Sequence, residues 1–534
     1  MRSVSENTET NIGINAVPNT ETTIAKNTAS GNLYCDVLVV GGGINGTGIA
    51  RDAAGRGLSV ILCEQDDLAS HTSSASSKLI HGGLRYLEYY EFGLVRKALI
   101  EREVLMRSAP HIISPLRFVM PHMKGLRPAW MLRAGLFMYD VLAKRELLPD
   151  SSGIDLRRHI AGDSLKSEFF RGFMYSDGWV DDARLVVLAA MDAAERGATI
   201  LTQTKCNAVV QKEGKWHAQL IDSANNVTEV IANCLVNATG SWAAQFQQAS
   251  APHKPEKNLR LIKGSHIVVK SLFDHPYAYI FQHPDGRIVF AIPYEKEFTL
   301  IGTTDLEYRG DMSHVTIEKD EIDYLCELSS LYFKQTIRPA DVVWSYSGVR
   351  PLVDDGEKDA KAITRDYHLE LDESGAPVLT VFGGKITTFR KLAEDAVDLI
   401  APVLSNETGA WTADACLPGG DIHGAVPSNR SVLEFTEFVV HLQKQYHWLA
   451  PSLVQRYAHS YGTRIHHLLK NCGSIAQLGE LIADNLYAIE VHYLIKYEWA
   501  RTSTDILWRR SKLGLHLPAG SDKKLDDWIA KNTS

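Results

Sequence analysis

Three glycines and one acid carry the first recognisable chemistry of this chain. Gly41, Gly43 and Gly46 stand in G-x-G-x-x-G spacing. They follow an apolar run at residues 37–40 and open a helical stretch over residues 44–56. A second apolar run, residues 59–63, ends in Glu64. Strand, turn, helix, strand and acid in this order form the pattern of a dinucleotide site. Gly41 permits the tight turn, Gly43 lets the backbone approach a pyrophosphate, and Gly46 lets helix and strand pack closely. Ile44 and Asn45 stand at the helix start, where free amides and the positive dipole end favour an anion. Glu64 would accept hydrogen bonds from a ribose diol. The alternative is a flavodoxin-like helix–strand turn that binds nothing.

The rest of the chain has to position that unit. At 534 residues it is long enough for two or three domains. Net charge is −8 with no block of like charges, which argues against general nucleic-acid binding. The seven cysteines are scattered without C-x-x-C spacing. That argues against zinc, iron–sulfur clusters and a disulfide framework, for a reducing compartment, and for no metal in the site. Residues 1–33 are rich in Asn, Thr and Ser and are expected to be a disordered tail, fitting neither a secretory signal nor a transit peptide. No apolar run is long enough to span a bilayer.

Helical patterns are expected at 94–106 and, capped by Asp181 and Asp182, up to Gly197. Strand patterns follow at 199–210, 216–221 and 235–240, the last reading LVNATG. From residue 262 the pattern turns antiparallel, with Asp285-Gly286 as a hairpin signal. The chain re-enters its first domain near 378–382, and a helix opens at Gly383-Gly384-Lys385. The expected layout is a discontinuous nucleotide-binding domain (34–260 and 346–415), an antiparallel substrate domain (261–345) and a helical C-terminal domain (416–534). Returning to one nucleotide-binding domain from both ends of the chain is typical of FAD enzymes. Ala238, Thr239 and Gly240 of LVNATG fit that case. So does GGKITTFR, whose Gly383, Gly384 and Thr387 would set a helix N-terminus at the pyrimidine edge of a flavin; a plain Gly-rich turn is the alternative.

At this point the chain resembles the FAD-dependent glycerol-3-phosphate dehydrogenases of the respiratory, quinone-reducing type. VGGGINGTGIARDAAGRG (40–57), SSASSKLIHGGLRYLE (73–88) and GGKITTFR (383–390) carry the resemblance, with Ile386 and Phe389 as mild variants. SGVRPL (347–352), AITRDY (362–367) and ILWRR (506–510) extend it. The resemblance implies a glutathione-reductase-type α/β FAD fold with an antiparallel substrate sheet and a helical cap. It implies oxidation of sn-glycerol 3-phosphate to dihydroxyacetone phosphate, with electrons passing through FAD to a membrane quinone of the ubiquinone type. A homodimer on the inner face of the cytoplasmic membrane is expected. An oxidase using O₂, or an amino-acid or 2-hydroxy-acid oxidoreductase, is the rival on the same fold.

Within those motifs, a phosphate monoester calls for a cationic clamp. Arg85, Arg365 and Lys385 are assigned to the phosphate, with Tyr86 in support, and Arg350 to the hydroxyl or developing ketone oxygen. Lys385 and Arg350 are thereby counted with the catalytic groups. His81 is the leading proton acceptor, since a pKa of about 6.5 suits a base near neutrality. A structural or flavin-contacting role is its alternative, and His266 is the second candidate. Ser73, Ser74, Ser77, Lys78, His81 and Gly82 would line the cofactor. Residues 127–145, with Trp130, Leu132, Phe137 and Met138 bordered by Arg127, Arg133, Lys144 and Arg145, read either as an interfacial membrane helix or as a core helix.

Overall fold

The computed structural model describes residues 32–123, 127–251, 253, 259–283, 286–353 and 366–533. The expected N-terminal tail, all but its last two residues, lies outside them, as do Asp285 of the hairpin signal and Arg365.

The glycine-rich unit folds as read. Leu33–Val40 (β1), Ile44–Gly55 (α1) and Val60–Cys63 (β2) follow one another, and β1 and β2 pair in parallel. The next segment leaves this sheet. Leu79–Ile80 (β3), Phe92–Ser108 (α2), Ile113–Pro121 (β4), Ala129–Val141 (α3), Ser152–Asp155 (β5) and Arg171–Val180 (β6) supply strands to a second sheet. Asp182–Glu195 (α4) then returns the chain to the first sheet, with Asp181 capping it through the Arg184 amide at 3.3 Å. There it adds Thr199–Leu201 (β7), Thr204–Lys212 (β8), Lys215–Asp222 (β9) and Val227–Asn237 (β10), followed by Ala243–Ser250 (α5).

The second sheet is then completed. Leu259–Lys270 (β11), Ala278–Gln282 (β12), Ile288–Tyr294 (β13), Phe298–Gly302 (β14), Leu306–Glu307 (β15), Lys319–Tyr332 (α6) and Val342–Val353 (β16) belong to it or cover it. His368–Asp372 (β17), Val378–Phe382 (β18) and Phe389–Ile400 (α7) close the first. The C-terminal part is helical: Asn429–Leu433 (α8), Phe435–Gln445 (α9), Pro451–Tyr461 (α10), Ile465–Leu468 (α11), Ala488–Glu498 (α12), a π-helical turn over Asp505–Arg510, and Ser521–Asn532 (α13).

The first sheet has the order β17-β18-β10-β1-β2-β7, with β9 and β8 branching from β10. Strands β18, β10, β1, β2 and β7 run parallel, as buried apolar runs do when helices cover a sheet. The second sheet runs β15-β11-β14-β13-β12-β4-β6-β3, with β16 on β11 and β5 on β6. Two boundaries therefore differ from expectation. Residues 79–180 contribute four strands to the substrate-side sheet, and β16 pairs with β11 rather than joining the nucleotide-binding sheet. The reason is physical. β12 meets β4 in parallel, and such a pairing has no turn that adjacency in sequence would reveal.

Candidate active site

The cofactor cradle is built by backbone. Gly41 has φ +115° and donates its amide to the Cys63 carbonyl at 2.8 Å. A Cβ there would lie 2.5 Å from the Ala238 carbonyl oxygen, and one on Gly46 would lie 1.9 Å from that of Gly41. Neither position admits a side chain, so helix and both strands close to contact distance. Helix α1 starts at Gly43 without a side-chain cap or an acid in its first turn. Its Ile44 amide donates to Ser73 Oγ at 3.0 Å, and Asn45 Oδ1 is buried without a partner among the described residues. A positive helix end with no acid in its first turn, beside an orphaned polar atom, fits the pyrophosphate of a dinucleotide.

Glu64 stands at the end of β2, buried, with its carboxylate accepting from the Gly42 amide at 2.6 Å and the Asp66 amide at 2.9 Å. Burial pushes this carboxyl up, and the two amides hold it back. Ala238 returns its amide to Val40, and Thr239 bonds Asn237 Oδ1 through both its amide and its hydroxyl. Gly240 takes φ +60° beside them.

The two halves of the chain meet at Asn45, whose Nδ2 donates to the Gly383 carbonyl at 3.1 Å. Gly383 and Gly384 take φ +72° and +97°, conformations that favour glycine. A short 3₁₀ turn, Ile386–Thr388, precedes α7. The α-helix thus starts at Phe389, four residues beyond Lys385, rather than at the glycines. Thr387 Oγ1 accepts from the His81 amide at 3.2 Å, and the Lys385 ammonium sits 3.9 Å from the centre of the Tyr86 ring. These contacts bring His81, Gly82, Tyr86, Lys385 and Thr387 to one place. Arg85 lies half-buried on the wall of a 250 Å³ cavity that Arg127, His283 and Arg287 also line.

Arg350 on β16 is held in place by Asp305 at 2.5 Å and Thr303 Oγ1 at 3.1 Å. His266 is buried, stacked on Tyr346 with ring centres 4.9 Å apart, and bonded through Nε2 to Ser77 Oγ at 2.9 Å. Burial first, then Arg350 and Lys78, hold its pKa well below the ordinary range, so the ring is neutral.

Lys78 departs from expectation. Its ammonium is fully buried and is taken up by Asp182 at 2.7 and 2.8 Å and by the Ser74 carbonyl at 2.6 Å. It fixes the serine-rich segment from inside and has no donor left to aim at a cofactor. Ser77 likewise spends its hydroxyl on His266.

Two supports escaped the sequence. Gly82 donates its amide to Tyr139 Oη at 2.8 Å, Tyr139 donates to Asp177 at 2.7 Å, and Arg102 donates to Asp177 at 2.7 Å. Tyr367, the last residue of AITRDY, is bonded to both Lys97 and Asp395. The first joins four remote segments and the second three, so no local spacing signals either. Helix α3 matches neither of its two readings fully. It buries Leu136 and Tyr139 but exposes Trp130 at 72%, Phe137 at 60% and Val141 at 61%. Among the described residues no helix is long and apolar enough to cross a membrane.

Known proteins resemble this chain over most of its length. Residues 36–390 match the family described as FAD dependent oxidoreductase, and residues 410–528 match the C-terminal domain of alpha-glycerophosphate oxidase. A glycerol-3-phosphate dehydrogenase of Pseudomonas aeruginosa is 53% identical, over 92% of this chain and 94% of its own. A D-erythritol 1-phosphate dehydrogenase of Brucella abortus is 47% identical, over 93% of this chain and 97% of its own. The crystal structure of the glycerol-3-phosphate dehydrogenase from Bacillus halodurans complexed with FAD superposes with a TM-score of 0.74 at 27% identity. That likeness covers 93% of this chain and 90% of the other.

Proposed function

The chain belongs to the FAD-dependent oxidoreductases, among their glycerol-3-phosphate dehydrogenases, and from that membership we propose how its site works on sn-glycerol 3-phosphate. One observation carries the reading. The segment bearing His81, Arg85 and Tyr86 and the turn bearing Lys385 converge where α1 presents its uncapped N-terminus. The residues around that N-terminus would hold FAD, which would supply the hydride acceptor for C2 of the substrate.

The chain's own residues do the remaining work. Arg85 and Lys385 hold the phosphate, with Tyr86 placing the ammonium. Arg365, assigned to the phosphate from the sequence, lies outside the described residues. Each charge-assisted bond contributes about 1.5–3 kcal/mol, so two or three account for most of the binding of so small a ligand. Arg350, fixed by Asp305 and Thr303, faces the developing ketone oxygen. His81 takes the hydroxyl proton. Gly41, Gly43, Ile44, Asn45, Gly46 and Glu64 hold pyrophosphate and ribose, while Ser73, Ser74, Gly82, Ala238, Thr239, Gly240, Gly383, Gly384 and Thr387 line the rest of the cofactor.

The electrons pass to a quinone, and α3 is the surface that meets the membrane. What supports this is its row of exposed large apolar side chains beside Arg127 and Lys144. Trp130→Ser with Phe137→Ser should abolish flotation with phosphatidylglycerol vesicles and leave flavin content unchanged. Flotation that persists removes α3 from the contact.

The deciding experiment is anaerobic flavin absorbance before and after substrate. Bleaching by glycerol 3-phosphate, reversed by a soluble quinone faster than by O₂, is expected. Faster reoxidation by O₂ identifies an oxidase. The 47% identical relative favours one second reading, a longer polyol phosphate. Faster bleaching by D-erythritol 1-phosphate than by glycerol 3-phosphate would establish it.

A further inference from the structure

Between Glu64 and Ser77 the chain links the two stretches assigned to the cofactor, and it is gripped from outside the FAD-binding region. Asp67, three residues beyond Glu64, is buried at 4% exposure. It accepts from Arg509 Nε at 2.6 Å and from Arg510 Nη2 at 2.7 Å, with Arg510 Nη1 on the same carboxylate. Arg510 also donates to the Glu498 carbonyl, which ties it to the C-terminal helices.

The far end of the same segment is held from the same turn and from Lys512 just beyond it. Lys512 pairs with Asp181 at 3.2 Å. The adjacent Asp182 receives Lys78, together with the amide and hydroxyl of Ser76. Trp508 stacks on Trp344 with centres 4.5 Å apart, and Tyr346, two residues along β16, donates to the Ser76 carbonyl at 2.7 Å. Between these anchors lies Ser73, the partner of the α1 N-terminus.

Two features separate this from ordinary packing. Consecutive residues of an α-helix do not face the same way. The π-helical turn over Asp505–Arg510 brings Arg509 and Arg510 onto one carboxylate, and such turns recur at functional sites. In addition, a buried ion pair is a weak source of stability compared with apolar packing; its attested use is to fix one geometry.

We propose that the C-terminal domain locks FAD in its site by clamping the 64–78 segment, with Asp67 and Arg510 as the positioning residues. Neither touches the backbone cradle; they act through the loop that carries Glu64 to Ser73. The ILWRR motif thereby acquires a role in holding the cofactor.

The test is FAD release from purified holoenzyme on dilution, read by recovery of flavin fluorescence, beside thermal unfolding of each variant. Asp67→Asn keeps the shape of the side chain and should raise the FAD dissociation constant about tenfold or more, the ratio corresponding to 1.4 kcal/mol. Arg510→Gln should do the same, and Arg510→Lys should restore part of the loss. With FAD in excess, KM for glycerol 3-phosphate should stay at the parent value. Arg464→Gln serves as control. It removes another ion pair between the C-terminal helices and the FAD-binding region, to Glu195 at 2.6 Å, and should lower the melting temperature without loosening FAD. If Asp67→Asn leaves FAD release unchanged, or if Arg464→Gln loosens FAD as much as Asp67→Asn does, the lock is refuted. Should Arg510→Gln fail to fold, Asp67→Asn against Arg464→Gln decides alone.

Discussion

The two sides of the site are made of different material. The cofactor side is backbone: Gly41, Gly46, Gly383 and Gly384, whose positions admit no side chain or require φ values that favour glycine. The proposed substrate side is side chain: Arg85, Lys385 and Arg350, drawn from three segments, with Lys385 set over Tyr86 and Arg350 held by Asp305 and Thr303. A backbone site fails as a whole when one Cβ is added. A side-chain site loses one contact at a time. The first kind tolerates no variation in a short motif. The second can be retuned for another phosphate ester while the fold stays the same, as a 47% identical relative with a different named substrate illustrates.

The sharpest way to break this comparison is Gly46→Ala. Its Cβ would lie 1.9 Å from the Gly41 carbonyl oxygen, which is backbone and cannot swing aside. Forcing the turn open costs roughly 3 kcal/mol or more. The expected product is protein without flavin absorbance, or none that is soluble. A folded variant that carries a full complement of FAD would show that the turn is not the anchor. Arg85→Ala and Lys385→Ala probe the other side. Each should raise KM for glycerol 3-phosphate about a hundredfold, as the loss of ~3 kcal/mol implies, with flavin content unchanged. Loss of FAD in both variants would place these cations on the cofactor instead and erase the distinction between the two sides.

This difference in material also decides what the sequence made legible. The βαβ unit, Glu64 and the GGK turn were readable because a backbone site must be written in consecutive residues. The return of the chain to the first domain near 378–385 was read from a strand running into a Gly-rich helix start, and Asn45 donates to the Gly383 carbonyl there. The second sheet was only half legible. Its antiparallel half alternates locally, while β4 and β6 were hidden because their neighbours lie far away in sequence. Lys78 was misread for a related reason. A lysine in a serine-rich segment looks like a ligand donor until Asp182, more than a hundred residues on, is seen beneath it. Tyr139 and Asp177, which support Gly82, carry no motif at all. In α3 the apolar side chains were plain, but which of them face outward depends on the sheet beneath.

A smaller effect tests what happens where the two materials meet away from the site. His111 is fully buried, and neither ring nitrogen has a hydrogen-bond partner among the described residues. Close backbone approach of Gly419 and Gly462 packs against its ring. Burial, helped by Arg184 and His459, lowers its pKa to about 3. The folded protein therefore keeps His111 neutral, whereas the unfolded chain binds a proton near pH 6.5. Stability from this group is complete above about pH 6.5 and falls as pH drops below it, by up to about 1.4 kcal/mol per pH unit, until the folded ring titrates too. Asp52 works in the opposite sense, because burial raises its carboxyl to about 6 and proton binding then favours the folded state. A comparison of one variant with its parent separates the two. His111→Gln has no proton to gain, so its urea midpoint should fall less steeply between pH 7 and 5 than that of the parent. Parallel slopes would mean that water or a structural shift already satisfies the ring, and that the close glycine packing around it is looser than the geometry indicates.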